Sequence, residues 1–306
     1  MKTCFLFPGQ GAQYPGMGKE IYDELEEVRE LFEIAGEATG SDVKQLMFEA
    51  AESELKETRN SQITVSLMNL ALRRYLRKRG IESDGAAGFS LGEWSAYVDA
   101  GVLGEEEVFP IVIRRAELMA EAAEEEPRLS GGSGMAAVVG LSPEEVEKAL
   151  DGLQDVYPAN YNSPIQTVIS GVKDAVEQAG TVLKEAGAKR VIPLKVSGPF
   201  HTPLLQRASE RFAEYLEGID FKTPAKPLYS NVSGGLVQEP AVIKRNAALQ
   251  IISPVRWTDE LRLIAGEDYG RCIECGPGKV LTGLWKRIDA PFGCIPADDE
   301  NEREKL

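Results

Sequence analysis

Apolar positions along this chain change period several times, and the changes mark its elements. Thr3 to Phe7 is a short apolar run that meets Pro8-Gly9 at once, which predicts a buried strand feeding a loop. Ile21 to Ala38 and Ile63 to Arg79 repeat apolar residues at helical spacing. The second puts Ile63, Leu67, Leu70, Ala71 and Leu72 on its inner side and ends at Gly80, a natural C-cap. Gly85 to Phe89 is small and apolar, as a buried strand is. Ser90 then opens a helix to about Ala100, and another helix spans Glu105 to Glu125.

Pro127-Arg128-Leu129-Ser130-Gly131-Gly132-Ser133-Gly134 interrupts this pattern as a linker would. Beyond it the sequence predicts strand at Met135 to Val139, helix at Pro143 to Leu150 under a Ser142 cap, and strand at Val156 to Asn160. A turn at Asn162-Ser163-Pro164 leads to strand at Thr167 to Ser170, helix at Val172 to Ala186 and strand at Lys189 to Val196. That order, β-α-β-β-α-β, is a ferredoxin-like unit. It divides the chain into a large α/β domain of residues 1–126 and 198–306 and an insert of residues 127–197.

After Gly198-Pro199-Phe200-His201 the pattern gives a helix at Pro203 to Leu216, a short strand at Leu228 to Ser230, and helices around Ala241 to Ile251 and Trp257 to Ala265. A strand at Arg271 to Glu274 and a helix at Lys279 to Ile288 follow. Asp298 to Leu306 is so polar that it reads as a solvated tail.

Composition narrows the partners. Hydrophobic residues make up 43% and charged residues 27% of 306 positions, as in ordinary globular proteins. A net charge of −15 argues against nucleic acid, which needs concentrated Lys and Arg. No run approaches a membrane span, and the N-terminus has too short an apolar stretch for a signal peptide, so a cytoplasmic protein is expected. Cys272-Ile273-Glu274-Cys275 has redox or zinc spacing, but the chain has one histidine and no second ligand pair; strand packing explains these cysteines, and no metal is expected.

The chemistry concentrates at Gly88-Phe89-Ser90-Leu91-Gly92, a serine between glycines at a strand-to-helix turn. A serine hydroxyl needs a base to become a nucleophile, and His201, the single histidine, is the candidate. The N–H of Leu91 would lie at a helix N-terminus, where a developing oxyanion is favoured. The 105 residues after His201 are more than a standard α/β-hydrolase carries there.

Seven segments in order give a resemblance: Phe7-Pro8-Gly9-Gln10-Gly11-Ala12-Gln13; Gly88-Phe89-Ser90-Leu91-Gly92-Glu93; Arg115; Asn160-Tyr161-Asn162-Ser163-Pro164; Gly198-Pro199-Phe200-His201; Gln250 before Ser253-Pro254-Val255; and Glu274-Cys275-Gly276-Pro277-Gly278. Over nearly its whole length the chain resembles the malonyl-CoA:acyl carrier protein transacylase family. The resemblance implies an α/β-hydrolase-like large domain with a ferredoxin-like insert. It implies Ser90 as the acyl-carrying nucleophile, His201 as its base, and a backbone carbonyl near Gln250, not a carboxylate, orienting the imidazole. Gln10 and Leu91 would supply the oxyanion N–H groups, and Arg115 would bind the malonyl carboxylate through a bidentate fork. Asn160, Asn162 and Phe200 would line the pocket, Phe200 resembling members that take malonyl. Phe89 departs from the family, where histidine is usual.

The implied activity is malonyl transfer from malonyl-CoA to the phosphopantetheine thiol of acyl carrier protein, for fatty acid synthesis, with no cofactor and as a monomer. Alternatives are a trans-acting acyltransferase of a polyketide pathway, a serine acyl hydrolase, or an inactive scaffold. The carrier is acidic, so Lys189, Arg190, Lys279, Lys286 and Arg287 are candidates for a basic rim. The densest cluster, Arg73, Arg74, Arg77, Lys78 and Arg79, equally suits a helix C-terminus.

Overall fold

The structure, a computed structural model, describes residues 1–194 and 198–306. It has a mixed α/β fold with two sheets. Ten strands are described: β1 (Thr3–Phe7), β2 (Gly85–Gly88), β3 (Ser133–Val139), β4 (Val156–Ser163), β5 (Gln166–Val172), β6 (Arg190–Leu194), β7 (Leu228–Ser230), β8 (Gly235–Val237), β9 (Arg271–Glu274) and β10 (Cys294–Pro296). Lys195 and Val196, where the sequence extends the strand here called β6, lie outside the described residues.

The larger sheet has the order β10-β9-β1-β2-β7-β8, parallel except for β8 at one edge. Its central strands are buried throughout because both faces are covered. Phe5 and Phe7 belong to the core under the Thr58–Lys78 and Glu105–Glu125 helices. Cys4 and Leu6 belong to the core on the opposite face, with Trp257 and Trp285. The smaller sheet is antiparallel, in the order β4-β5-β3-β6. One face, including Ala136, Val138 and Ile169, packs on the Pro143–Leu150 and Lys173–Glu185 helices. The alternating residues Met135, Ala137 and Val168 face the other way, against Phe200.

The smaller sheet is tied to the large domain through β4 and the segment that leads into the Trp257–Gly266 helix. Tyr161 N–H donates to the Val255 carbonyl and Val255 N–H to the Ala159 carbonyl, both at 2.9 Å. Thr258 Oγ1 adds a bond of 2.8 Å to the Tyr161 carbonyl.

Several expectations are corrected. The helix expected over 21–38 is two, Lys19–Glu24 and Glu26–Thr39, because Leu25 adopts an extended conformation between them. β4 runs through Asn162 to Ser163, so the hairpin turns at Pro164 and Ile165. The C-terminus is no free tail: a turn of helix, Glu300–Arg303, ends in a buried arginine bonded to the Ala297 carbonyl and to Glu20. The basic cluster stands at a helix C-terminus, with Arg77 and Lys78 in the last turn of the Thr58–Lys78 helix, and it is also paired with acids. Arg73 binds Asp99 and Glu105, Arg74 binds Glu105, Lys78 binds Glu27 and Arg79 binds Glu24. All four cysteines are free thiols, and Cys272 and Cys275 pack in different cores. No helix among the described residues is long and apolar enough to cross a membrane.

Candidate active site

Ser90 sits directly after β2 with φ 51°, a left-handed conformation that a non-glycine residue holds only under constraint. The constraint is close packing of backbone. A Cβ on Gly88 would collide with the Gly92–Glu93 peptide, and one on Gly92 with the Phe7 carbonyl. The two glycines of the motif are therefore what let the turn close. It is further pinned by Asn231, whose Oδ1 accepts from Ser90 N–H at 2.7 Å while its Nδ2 donates to the Gly88 carbonyl at 2.7 Å.

His201 also has positive φ, 61°, with its N–H bonded to the Ile251 carbonyl at 3.0 Å. Its Nε2 lies 2.8 Å from Ser90 Oγ and its Nδ1 2.8 Å from the Gln250 carbonyl oxygen. A carbonyl only accepts, so Nδ1 carries the proton and the Nε2 lone pair faces the serine. Burial, reinforced by the Arg115 charge, lowers the imidazole pKa to about 4, so it is neutral near pH 7.

Arg115 is buried and charged, although burial lowers its pKa to about 10. It donates from Nη2 to Gln250 Oε1 at 3.1 Å, while its Nε has no partner among the described residues. A buried guanidinium with an unsatisfied donor beside a cavity is suited to an incoming carboxylate.

These groups share one cavity of about 430 Å³, lined also by Gln10, Asn160, Asn162 and Phe200. Neither the Gln10 nor the Leu91 backbone N–H has a protein partner among the described residues. Gly9 holds the two segments together: a Cβ there would collide with the Phe89 carbonyl and lie 3.5 Å from the Leu91 nitrogen. Phe89 packs edge-on against Trp257, centroids 5.4 Å apart, so the ring in place of the expected histidine is held as part of an apolar wall.

The structure thus brings together Ser90, His201, Gln10, Leu91, Arg115, Asn160, Asn162 and Phe200, with Gln250 behind them. It adds two residues that the sequence did not single out, Asn231 and Glu260, and ties them to Gln250 and Glu93. Gln250 Nε2 donates to the Ser90 carbonyl at 3.0 Å, to Asn231 Oδ1 at 3.2 Å and to Glu93. Asn231 donates onward to Glu260 at 2.8 Å. Burial pushes the Glu93 carboxyl up to about 7 and raises Glu260 well above the ordinary range. Asn231 had one available signal, its place just past the end of a parallel strand, where sites in such sheets gather.

Comparison with known proteins agrees with this geometry. A family profile described as acyl transferase domain matches residues 4–287. The malonyl CoA-acyl carrier protein transacylase of Bacillus subtilis is 39% identical over 302 residues, 97% of this chain and 94% of that one. That of Salmonella typhimurium is 39% identical over 289 residues, 93% and 92% of the two chains. An acyl carrier protein S-malonyltransferase from Vibrio cholerae superposes with a TM-score of 0.94 at 37% identity, covering 100% of this chain and 99% of its own. A malonyl-transacylase solved in complex with a type II PKS acyl-carrier protein gives 0.93 at 36% identity, with 99% and 97% covered. The chain belongs to the acyl transferase domain family and, within it, to the malonyl CoA-acyl carrier protein transacylases.

Proposed function

We propose that this chain transfers the malonyl group of malonyl-CoA to the phosphopantetheine thiol of acyl carrier protein, loading extender units for fatty acid synthesis through an ester on Ser90. The observation that carries this reading is the 2.8 Å contact between Ser90 Oγ and a neutral His201 in the same cavity as the incompletely bonded Arg115. Arg115 takes the malonyl carboxylate and places the thioester carbonyl at the serine. Ser90 Oγ attacks that carbon as its proton passes to His201 Nε2, and the Nδ1–H bond to Gln250 holds the imidazolium in place. The carbonyl oxygen, now negative, is met by the Gln10 and Leu91 N–H groups. Collapse expels coenzyme A, whose sulfur takes the proton from Nε2. The carrier thiol then attacks the ester, its proton passes to Nε2, and Ser90 regains it as the malonyl thioester leaves.

Every proton and charge in this cycle has a residue in the site, and the reading takes no metal or nucleotide cofactor. Residues 1–126 and 198–306 form an α/β-hydrolase-like domain and residues 127–197 a ferredoxin-like insert, a division supported by the separate cores around the two sheets. The carrier docks at their junction, on a rim that includes Lys189, Arg190, Lys286 and Arg287. The protein works as a monomer in the cytoplasm.

Intact-protein mass spectrometry tests the proposal. Malonyl-CoA should add one malonyl mass to the wild-type chain and none to Ser90→Ala, and acyl carrier protein should discharge the adduct. Discharge by water at the same rate would make the chain a hydrolase, and no adduct would make it an inactive scaffold.

A further inference from the structure

The Gly276-Pro277-Gly278 turn takes no part in the chemistry above, yet its first glycine lies against the loop that carries Gln10. A Cβ on Gly276 would collide with Asn69 Oδ1 and meet Pro8 Cγ and Cδ at 2.5 Å. Asn69, fully buried on the Thr58–Lys78 helix, donates from Nδ2 to the Pro8 carbonyl at 3.0 Å and to Ser95 Oγ at 3.1 Å. The Cys275 thiol bonds the Asn69 carbonyl at 3.6 Å. The loop is thus gripped from both sides, with Phe89 and Leu91 against Gly9 and with Asn69 and Gly276 against Pro8.

Chain chemistry makes this grip matter. Proline fixes its own φ, but Gly9 is the freest residue the backbone can hold, so the Gly9–Gln10 peptide can turn unless its neighbours stop it. Asn69 holds the carbonyl of the preceding peptide. We propose that Asn69, with Gly276 packed against it, is a positioning residue that sets where the Gln10 N–H lies relative to that of Leu91. The proposal rests on the reading of these two N–H groups as the oxyanion hole.

Its test is a pair of variants and their combination, assayed for malonyl transfer. Asn69→Ala should lower kcat by roughly ten- to a hundredfold, the cost of a displaced reacting geometry, with KM for malonyl-CoA little changed. Gln10→Pro, which deletes the N–H itself, should lower kcat by roughly 10²- to 10³-fold. Added to Gln10→Pro, Asn69→Ala should cost no more, because the group it positions is gone. A general packing role would instead give the same fold-loss in both backgrounds, or move KM with kcat, and either overturns the proposal. If Asn69→Ala does not fold, Asn69→Leu, close in size and without the donor, carries the same comparison. Gln10→Pro damaging and Asn69 variants harmless would sink this proposal alone. An undamaged Gln10→Pro would sink the oxyanion reading and the proposal with it.

Discussion

Gln250 orients His201 with its backbone and leaves its side chain free to tie the rest of the site together. The carbonyl oxygen lies 2.8 Å from Nδ1, while the side chain accepts from Arg115 and donates to the Ser90 carbonyl, Asn231 and Glu93. A carboxylate in the carbonyl's place would add a full negative charge and raise the imidazole pKa strongly; the neutral carbonyl fixes the tautomer and raises it only by a hydrogen bond, which burial and Arg115 outweigh. Beside a charged Arg115, that keeps the base unprotonated.

Ser90 and His201 should behave as one unit. Ser90→Ala and His201→Ala should each cut turnover by on the order of 10⁴, and the double variant should be little worse. Steady-state malonyl transfer measures this; losses that multiply would mean that the two side chains act separately.

The imidazole also sets the acid limb of the pH profile. Its pKa is lowered to about 4, first by burial and then by Arg115, and only the neutral form can take the serine proton. Below that pKa kcat/KM should fall, well under the ordinary histidine value of 6.5. A bound malonyl carboxylate offsets the Arg115 charge, so the acid limb of kcat should lie at higher pH than that of kcat/KM. Arg115→Ala should move the kcat/KM limb upward only in part, since burial remains. Stability should follow the same sign: between about 4 and 6.5 the unfolded chain binds the extra proton, so His201 makes the fold less stable as pH falls. Melting curves across that window should be flatter for His201→Ala.

Arg115 should select for the carboxylate. Its loss removes a charge-assisted bond of about 1.5–3 kcal/mol, so Arg115→Ala should weaken malonyl transfer by roughly ten- to 150-fold. Acetyl transfer should be unchanged or improved. Arg115→Lys should rescue incompletely, because an ammonium lacks the fork and burial depresses its pKa further toward neutrality. Parallel kinetics with malonyl-CoA and acetyl-CoA decide it, and equal damage to both would make Arg115 a structural residue.

Much of this site is legible in the sequence because its parts are locally coded. The glycines around Ser90 are demanded by close backbone packing, Gly88 against the turn itself and Gly92 against Phe7, and they show as a compact motif; a single histidine leaves no competing base. Asn231 and Glu260 are another matter. Asn231 is 141 residues from Ser90, and a buried amide bonding across that separation leaves no period or spacing to read. The same holds for β8 and β10. Each is three residues long at a sheet edge, too short for alternation to show. The basic cluster was half legible: its place at a helix C-terminus shows in the sequence, but the acids that match its charges lie on helices distant in sequence.

Carrier docking should depend on charge at the cavity mouth. Arg287, just past the Val280–Trp285 helix, bonds Gln166, which lines the cavity, so this basic turn stands at the rim of the smaller sheet. Rim charges act mainly on association rate and its salt dependence. Lys286→Glu with Arg287→Glu should therefore raise the apparent KM for acyl carrier protein, most at low salt, and spare malonylation of Ser90 by malonyl-CoA. Arg73 is unsuitable as the control because it is buried against Asp99 and Glu105. Arg77→Glu is the better one, since Arg77 is half-exposed beside Glu82 and does not line the cavity. Should Arg77→Glu raise the carrier KM more than the rim pair does, the carrier would approach the face of the Thr58–Lys78 helix instead.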